Sequence, residues 1–281
     1  MSFHALTITL FTISGFVFLF MLLPSLKVKM YSNHPREIFR IEKENVVHPK
    51  IIEIYRKQIE GRRALLASIK SETNYYDNLY NVAAPEVFCP GLTRIGYLSD
   101  GGKWICNPQR LPSPCVIYSL GINNEFSFDQ EIYDLSKCQI RGFDMDQMEP
   151  NTVQVYEKMN ATLLRAKISK ETNKTRAEYS FADIVAMYNH SKIDVLKIDI
   201  EGGEYDVIDQ IVKVPICQIL IELHKNPFNM VSLLKTLSRS GFFLYSHEIN
   251  GGVHIACEFS LIHESCLKDY GVEVVFGRYL S

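Results

Sequence analysis

The strongest constraint on the fold is an alternation of short apolar runs with amphipathic helical segments, which starts near Cys115 and continues to Ile262. Runs rich in Val, Ile and Leu are typical of strands buried on both faces of a parallel sheet. The predicted strands are residues 115–120, 139–144, 162–168, 193–199, 218–222, 242–248 and 255–262. The predicted helices are residues 128–135, 150–159, 181–188, 204–212 and 230–240.

The last two predicted strands are joined by Asn250-Gly251-Gly252, which is typical of an antiparallel hairpin. Strands that alternate with helices and end in such a hairpin predict an α/β fold. We expect a doubly wound, mostly parallel sheet with helices on both faces. In sheets of this kind, ligands bind at the carboxyl ends of the strands, so the residues there are the candidate site.

Two of these strand ends predict a nucleotide cofactor. The first strand is followed by Gly121-Ile122-Asn123-Asn124, and a glycine there lets the backbone turn sharply beside a ligand. The second strand ends in Asp144, 23 residues later, where an acid can accept the ribose hydroxyls of an adenosine cofactor. Either residue alone is also explained by an ordinary turn or helix cap. The diphosphate loop G-x-G-x-x-G is absent, so S-adenosylmethionine fits better than NAD or FAD.

Two further strand ends carry candidate catalytic residues. Lys197, Asp199 and Glu201 alternate along the fourth strand and its end, whereas a doubly covered strand should carry few charges. The structural alternative is that Asp199 pairs with Lys197 and Glu201 caps the next helix. The fifth strand ends in His224, a side chain that can take a proton from a hydroxyl at neutral pH.

The motifs around these residues resemble a known family. The run of residues 194–204, D-V-L-K-I-D-I-E-G-G-E, resembles the signature of FkbM-type S-adenosylmethionine-dependent methyltransferases. Residues 99–106, 114–129 and 217–224 look like the animal methyltransferase-like membrane proteins, the methyltransferase-like twenty-four group. The resemblance covers about residues 85–265 and implies a Rossmann-like class I methyltransferase sheet of seven strands.

By this resemblance, Gly121 with Asn123 and Asn124 would hold the methionine part of S-adenosylmethionine, and Asp144 its ribose. FkbM-type enzymes usually have an acid two residues before the loop glycine, where this chain has Ser119. Glu125 is our candidate to replace that acid.

The implied activity is methyl transfer to a hydroxyl group of a sugar or small molecule. His224 is the predicted base, with Glu201 or Asp199 orienting the acceptor or, as a lesser alternative, binding a divalent cation; no metal ligand is predicted. One alternative is a catalytically silent binding protein with the same fold, which Ser119 motivates. Another is a glycosyltransferase, because Asp144-Met145-Asp146 is a D-x-D pattern suited to Mn²⁺ and a nucleotide sugar.

The amino-terminal part predicts a membrane protein. Residues 5–26 form an uncharged apolar run of 22 residues, long enough to cross a bilayer, so residues 1–26 are interpreted as an anchor or signal segment. Residues 27–84 are a basic stem and residues 85–281 the methyltransferase-like domain. Residues 27–70 carry a net charge of +6 and residues 71–281 one of −8, and the overall −2 argues against nucleic-acid binding. The stem contains a predicted helix at residues 48–70, packed on the domain or lying on anionic lipid.

The side of the membrane is predicted from three features that disagree. Lys27 and Lys29 favour a cytoplasmic domain. The sequons at Asn160, Asn173 and Asn189, together with the family resemblance, favour the lumen of the secretory pathway, which we adopt. In that compartment two disulfides are predicted: Cys115 with Cys138 and Cys89 with Cys106, since Cys115 and Cys138 begin neighbouring strands. No C-x-x-C spacing predicts zinc.

Overall fold

The computed structural model describes residues 47–71 and 75–281, and residues His48–Ser281 form one compact unit. The predicted anchor and the first part of the predicted stem, residues 1–46, lie outside the described residues. Within the described part of the chain, no helix combines the length and apolar character needed to cross a membrane.

The centre of the unit is a seven-stranded sheet that contains β3 Val116–Leu120, β4 Gln139–Asp144, β5 Thr162–Arg165, β8 Ile193–Ile198, β9 Ile216–His224, β10 Phe242–Ile249 and β11 Ala256–His263. The strand order is β10-β11-β9-β8-β3-β4-β5. In this sheet β5, β4, β3, β8 and β9 are parallel, and β11 is inserted antiparallel between β9 and β10. Two small pairs flank it: β1 Leu92–Ile95 with β2 Lys103–Cys106, and β6 Lys167–Ser169 with β7 Glu178–Ser180.

Seven helices cover the sheet: α1 Pro49–Ser68, α2 Tyr76–Val82, α3 Ser127–Ser136, α4 Pro150–Lys158, α5 Phe181–Tyr188, α6 Glu204–Ile211 and α7 Pro227–Arg239. Successive strand residues belong to different apolar clusters: Ile117 shares one with residues of α3 and α4, whereas Tyr118 shares the other with residues of α5, α6 and α7. Because successive side chains alternate between the two faces, an apolar layer lies on each face of the sheet. This confirms the doubly wound, mostly parallel α/β fold.

The helix at the start of the unit packs on the domain, as one interpretation of the stem predicts. Leu66 in α1 is buried in the main core, and Tyr55 stacks on Phe276 with ring centroids 4.2 Å apart. The Arg62 guanidinium lies 5.6 Å from the centre of the Tyr279 ring. These contacts hold α1 against the carboxyl-terminal segment of the chain.

Most predicted elements agree with the structure to within three residues at each end, with two differences. The predicted strand at residues 162–168 is interrupted at Ala166, so that Thr162–Arg165 joins the main sheet while Lys167–Ser169 pairs with β7. The hairpin of β1 and β2 is absent from the sequence interpretation. It docks on β9 because the Gln218 side chain bonds both the backbone N–H and the carbonyl of Cys106, at 2.9 and 2.8 Å.

Three disulfides cross-link the unit. Cys89 is bonded to Cys106 and Cys115 to Cys138, which confirms both predicted pairs. The third, Cys217 with Cys266, joins the start of β9 to the turn after β11 and was not predicted. Cys257 is the seventh cysteine and is a buried free thiol.

Candidate functional site

A sharp turn at Gly121 joins the carboxyl end of β3 to the candidate site. Gly121 has a φ of +77°, and a Cβ at this position would lie 1.6 Å from the backbone oxygen of Asp199. Its N–H donates to the carbonyl of Phe143 at 2.9 Å, and its carbonyl accepts from Lys197 Nζ at 3.0 Å. Only glycine fits here, because both the positive φ and the close approach exclude a side chain. The turn therefore brings the end of β3 into contact with the residue that follows β8.

Asp144, at the end of β4, organises the loop after this turn. Its Oδ2 accepts the backbone N–H groups of Ile122 and Asn123, both at 2.8 Å, and its Oδ1 accepts that of Asp146 at 2.8 Å. A carboxylate offers about four lone-pair sites, so three are occupied by backbone groups and one is free. Asp144 thus keeps room for one further hydrogen bond, whereas its predicted role of binding both ribose hydroxyls needs two.

The remaining loop residues differ in what their side chains do. Asn124 Oδ1 accepts from the Glu149 N–H at 2.8 Å and from Thr152 Oγ1 at 3.0 Å, which ties the loop to α4. Asn123 is exposed. Glu125 Oε1 accepts the Ser127 N–H at 2.8 Å, whereas Oε2 is buried without a hydrogen-bond partner. This second oxygen of Glu125 lies against Gly101, where an added Cβ would be 1.9 Å from it.

Ser119 lies against an acid of α3, Asp129. Ser119 Oγ donates to Asp129 Oδ2 at 3.1 Å, and the hydroxyl of Tyr156 donates to the same oxygen at 2.9 Å. Asp129 is fully buried, and this burial raises the pKa of its carboxyl group despite the charge of Lys197. Asp129 lies within the run that carries the family resemblance, but only the three-dimensional structure shows that it lies beneath Ser119.

A cluster of three acids, one directly after β8, one on β9 and one on β11, surrounds Lys103 of β2. Lys103 is 1% exposed; its Nζ contacts Glu258 and lies 3.6 Å from Glu222 Oε2 and 3.7 Å from Asp199 Oδ2. Glu222 and Glu258 are direct partners in the pairing of β9 with β11, so two acids share one face of the sheet. The ammonium of Lys103 offsets the repulsion between these two acids. The hairpin of β1 and β2, which carries Lys103, is therefore part of the site.

Burial and the charges in this cluster shift the pKa values of its three acids. Burial raises the pKa of Asp199 and raises that of Glu258 well above its usual value, in both cases against the effect of Lys103. Burial also acts to raise the pKa of Glu222, but Lys103 and hydrogen bonds from neighbouring groups hold it below its usual value. The pKa of Glu222 is thus lowered while those of Asp199 and Glu258 are raised, so Glu258 retains a proton more readily than Glu222 does.

His224 lies beside this cluster, at the end of β9. Its Nε2 is 3.8 Å from Asp199 Oδ1, 3.7 Å from Glu201 Oε2 and 3.8 Å from Glu222 Oε1, and its Nδ1 is buried without a hydrogen-bond partner. The three residues predicted as catalytic, Asp199, Glu201 and His224, are thus brought together. Their predicted roles stay predictions.

The contacts do not support the purely structural interpretation of Asp199 as the partner of Lys197 and Glu201 as a helix cap. The ionic partner of Asp199 is Lys103, whereas Lys197 donates to the Gly121 carbonyl. The Glu201 side chain is 74% exposed and its φ is +55°, so it lies in the turn before α6 rather than capping that helix. The side chain that bonds the turn is Glu204, whose Oε1 accepts the Ile200 N–H at 2.7 Å.

Comparison with known proteins identifies the family. A family model described as a methyltransferase domain matches residues 43–263, which is more than three quarters of the chain. The chain belongs to this methyltransferase family. Its mostly parallel seven-stranded sheet fits the Rossmann-like class I fold of S-adenosylmethionine-dependent methyltransferases.

Solved structures with a similar fold are distant in sequence. A putative S-adenosylmethionine-dependent methyltransferase from Streptococcus mutans has 11% identity and a TM-score of 0.37, covering 64% of this chain and 56% of its own. The ribosomal protein L11 methylase of Lactobacillus delbrueckii subsp. bulgaricus has 11% identity and a TM-score of 0.36, covering 53% and 70%. A putative methyltransferase from Thermoplasma acidophilum has 12% identity and a TM-score of 0.34, covering 55% and 70%. No curated protein matches the chain.

Sequence reasoning missed two features of this site: Asp129 beneath Ser119, and the charged network that Lys103 forms with Glu222 and Glu258. The signal for Glu222 and Glu258 was available, because charged residues are rare within a covered strand. Lys103 and Asp129 carried no such signal, since each reaches the site from an element whose packing the sequence does not define.

Proposed function

We propose that this protein is an S-adenosylmethionine-dependent methyltransferase that methylates a hydroxyl group of a sugar or another small molecule. The observation that carries the proposal is the contact between Gly121 and Asp199. It makes the loop expected to hold the cofactor continuous with the cluster of Asp199, Glu201 and His224. A donor and an acceptor bound at these two places would lie next to each other, which is the main requirement for methyl transfer.

The residues of the loop fit S-adenosylmethionine. Asp144 has one lone pair free for a ribose hydroxyl, and the unpartnered Oε2 of Glu125 is suited to the ammonium of the methionine part. When bound, S-adenosylmethionine supplies a methyl group on a positively charged sulfur, which leaves as a neutral thioether. Asp129, which accepts from Ser119 Oγ, adds a buried carboxylate near the position where FkbM-type enzymes carry an acid on the strand itself.

His224 is our candidate for the group that takes the proton from the acceptor hydroxyl. It is partly exposed at 24%, so an acceptor can reach it, and the neighbouring carboxylates would stabilise the imidazolium that forms. Glu201, which is exposed and has one oxygen 3.7 Å from His224, is placed to orient the acceptor.

We also propose a subfamily and a cellular location for the protein. We place the protein in the FkbM type, nearest the methyltransferase-like twenty-four group, on the motif at residues 194–204 and its neighbours. We also propose that it is anchored in the membrane by residues 1–26, with its catalytic domain in the lumen of the secretory pathway. Three disulfides support the lumen, because such bonds persist in oxidising compartments.

Both alternatives lose support from the contacts. In a D-x-D glycosyltransferase, Asp144 would bind Mn²⁺, but backbone N–H groups occupy three of its four lone-pair sites. The argument for a silent protein depends on Ser119, and Asp129 places a carboxylate at that position from α3.

Isothermal titration of S-adenosylmethionine into the full-length chain tests the proposal. The wild type should bind with measurable heat, and Glu125→Gln should bind roughly 10-fold more weakly because a charged hydrogen bond is lost. Asp146→Ala is the matched control: its backbone N–H, which Asp144 accepts, is kept, so its affinity should equal that of the wild type. An absence of heat with the folded wild type contradicts the proposal, as would binding of a nucleotide sugar in its place.

A further inference from the structure

Glu204 is a fully buried carboxylate that has only one of its two oxygens satisfied. Oε1 accepts the Ile200 N–H at 2.7 Å, whereas Oε2 is buried and has no hydrogen-bond partner. Leaving a charged oxygen buried without a partner is costly, and burial raises the pKa of Glu204 accordingly. The methyl-transfer chemistry proposed above gives Glu204 no task. An unsatisfied acid of this kind is a candidate ligand for a cation.

Two other ligand-type side chains converge on the same place. Asp199, Glu204 and His224 each offer one ligand atom, and these three atoms lie within 4.8 Å of one another. Ligands held about 2.1 Å from a single ion lie roughly 3.0 to 4.2 Å apart in octahedral geometry, so small side-chain movements would close the set. Asp199 and His224 are 19% and 24% exposed, so the place is open to solvent on one side.

The neighbouring acidic group already has its cation. Asp100, Asp199 and Glu222 also lie within ligand distance of one another, but the ammonium of Lys103 is 3.7 Å from Asp199 and 3.6 Å from Glu222. Lys103 contacts Asp199 through Oδ2, whereas Oδ1 faces His224. The two oxygens of Asp199 therefore point to two different places, of which only the first holds a positive side chain.

We propose that Asp199, Glu204 and His224 form a binding site for one divalent transition-metal ion, with Mn²⁺ as the best fit. Carboxylates select hard ions such as Mg²⁺ and Mn²⁺, and an imidazole shifts the preference to transition metals, so the mixed set favours Mn²⁺. Three protein ligands leave coordination positions for water or a substrate oxygen.

The consequence for catalysis rests on the proposed methyltransferase function, whereas the existence of the site does not. An acceptor hydroxyl bound to the ion would have a lowered pKa, and its proton would pass to solvent or to Glu201. His224 would then serve as a ligand instead of a base. The site is contiguous with the Gly121 turn through Asp199, which places the activated oxygen beside the cofactor loop.

Titration of Mn²⁺ into the metal-free, full-length chain, followed by electron paramagnetic resonance, tests the site without any activity measurement. The wild type should remove one equivalent of the free-ion signal and show the magnetic coupling of one imidazole nitrogen. Glu204→Gln keeps the acceptor for the Ile200 N–H, and should weaken binding at least 10-fold. His224→Gln should lose the nitrogen coupling. Asp146→Asn, a control in the D-x-D pattern, should bind as the wild type does.

Three results would overturn the site: no Mn²⁺ binding by the folded wild type, unchanged binding by Glu204→Gln, or loss of binding in Asp146→Asn alone. Thermal unfolding in the presence of a chelator shows whether each variant is folded. Titrating S-adenosylmethionine in the presence of the chelator tests the cofactor site separately. If the chain binds S-adenosylmethionine but not Mn²⁺, the metal site is refuted and the methyltransferase proposal stands. Conversely, Mn²⁺ binding without cofactor binding contradicts the methyltransferase proposal and leaves the metal site standing.

Discussion

Replacing Lys103 with methionine tests the electrostatic network of the site, because this lysine is the central cation of three acids. Its side chain is 1% exposed, and the side chains of Glu222 and Glu258 are 2% and 10% exposed. Removing one partner of a buried ion pair costs roughly 3–5 kcal/mol, since the charge left behind has neither water nor a counter-ion. Glu258 already has a raised pKa and can take up a proton, so we expect the lower end, about 3 kcal/mol.

The cost should depend on pH, with a sign that follows from the acids. Without Lys103 the pKa of Glu258 rises further above the unfolded value near 4.5, so folding favours its protonated form. The destabilisation is then small near pH 4.5 and grows as the pH rises to 7.5, where deprotonation favours the unfolded chain.

The assay is urea denaturation at pH 5.0 and pH 7.5, followed by circular dichroism and by the fluorescence of Trp104, the single tryptophan, which adjoins Lys103. With a slope of about 2–3 kcal/mol per molar urea, the Lys103→Met midpoint at pH 7.5 should fall by roughly 1 M. Lys137→Met is the control: Lys137 is 62% exposed and pairs with Asp134 on the surface, so its change should stay within about 0.5 kcal/mol. A Lys103→Met midpoint equal to that of the control, or a shift identical at both pH values, would refute the reasoning.

Three further outcomes are expected. Gly121→Ala should lose roughly 2–4 kcal/mol of stability, because Gly121 has a positive φ and an added Cβ would meet the Asp199 carbonyl. The control Gly251→Ala, with no atom near the added Cβ, should unfold like the wild type. Equal urea midpoints for the two variants would contradict this. Thiol labelling of the denatured, unreduced chain should modify one cysteine, Cys257, and mass spectrometry showing labels elsewhere would reject a disulfide. If the domain is luminal, Asn160, which is exposed, should carry a glycan, and a protein purified from animal cells whose mass is unchanged by glycosidase would count against the lumen.

The sheet could be predicted from the sequence because its signal is local. Each strand of the α/β core is a short apolar run bounded by turn residues, and Asn250-Gly251-Gly252 marks the final hairpin. The order of the strands was not readable in this way: β11 lies between β9 and β10, and the period of apolar residues contains no information about neighbours. The pairs Cys115–Cys138 and Cys89–Cys106 were predictable, whereas Cys217–Cys266 required the packing of the turn after β11.

The sequence predicts the positions of several candidate site residues but not their contacts. That Gly121, Asp144, Asp199 and His224 lie at one edge of the sheet was predictable, because the carboxyl ends of parallel strands meet there. What the sequence did not show is which groups these residues contact. Asp144 uses most of its carboxylate on its own loop, and Lys103 comes to the acids from a hairpin outside the main sheet.

We propose that S-adenosylmethionine binds at the carboxyl ends of β3 and β4. Hydrogen–deuterium exchange of the full-length chain, with and without saturating S-adenosylmethionine, measures this directly. We expect slower exchange at residues 121–125 and 144–146, which include the backbone N–H groups that Asp144 accepts. Unchanged exchange across both segments, or protection confined to another part of the chain, would contradict it.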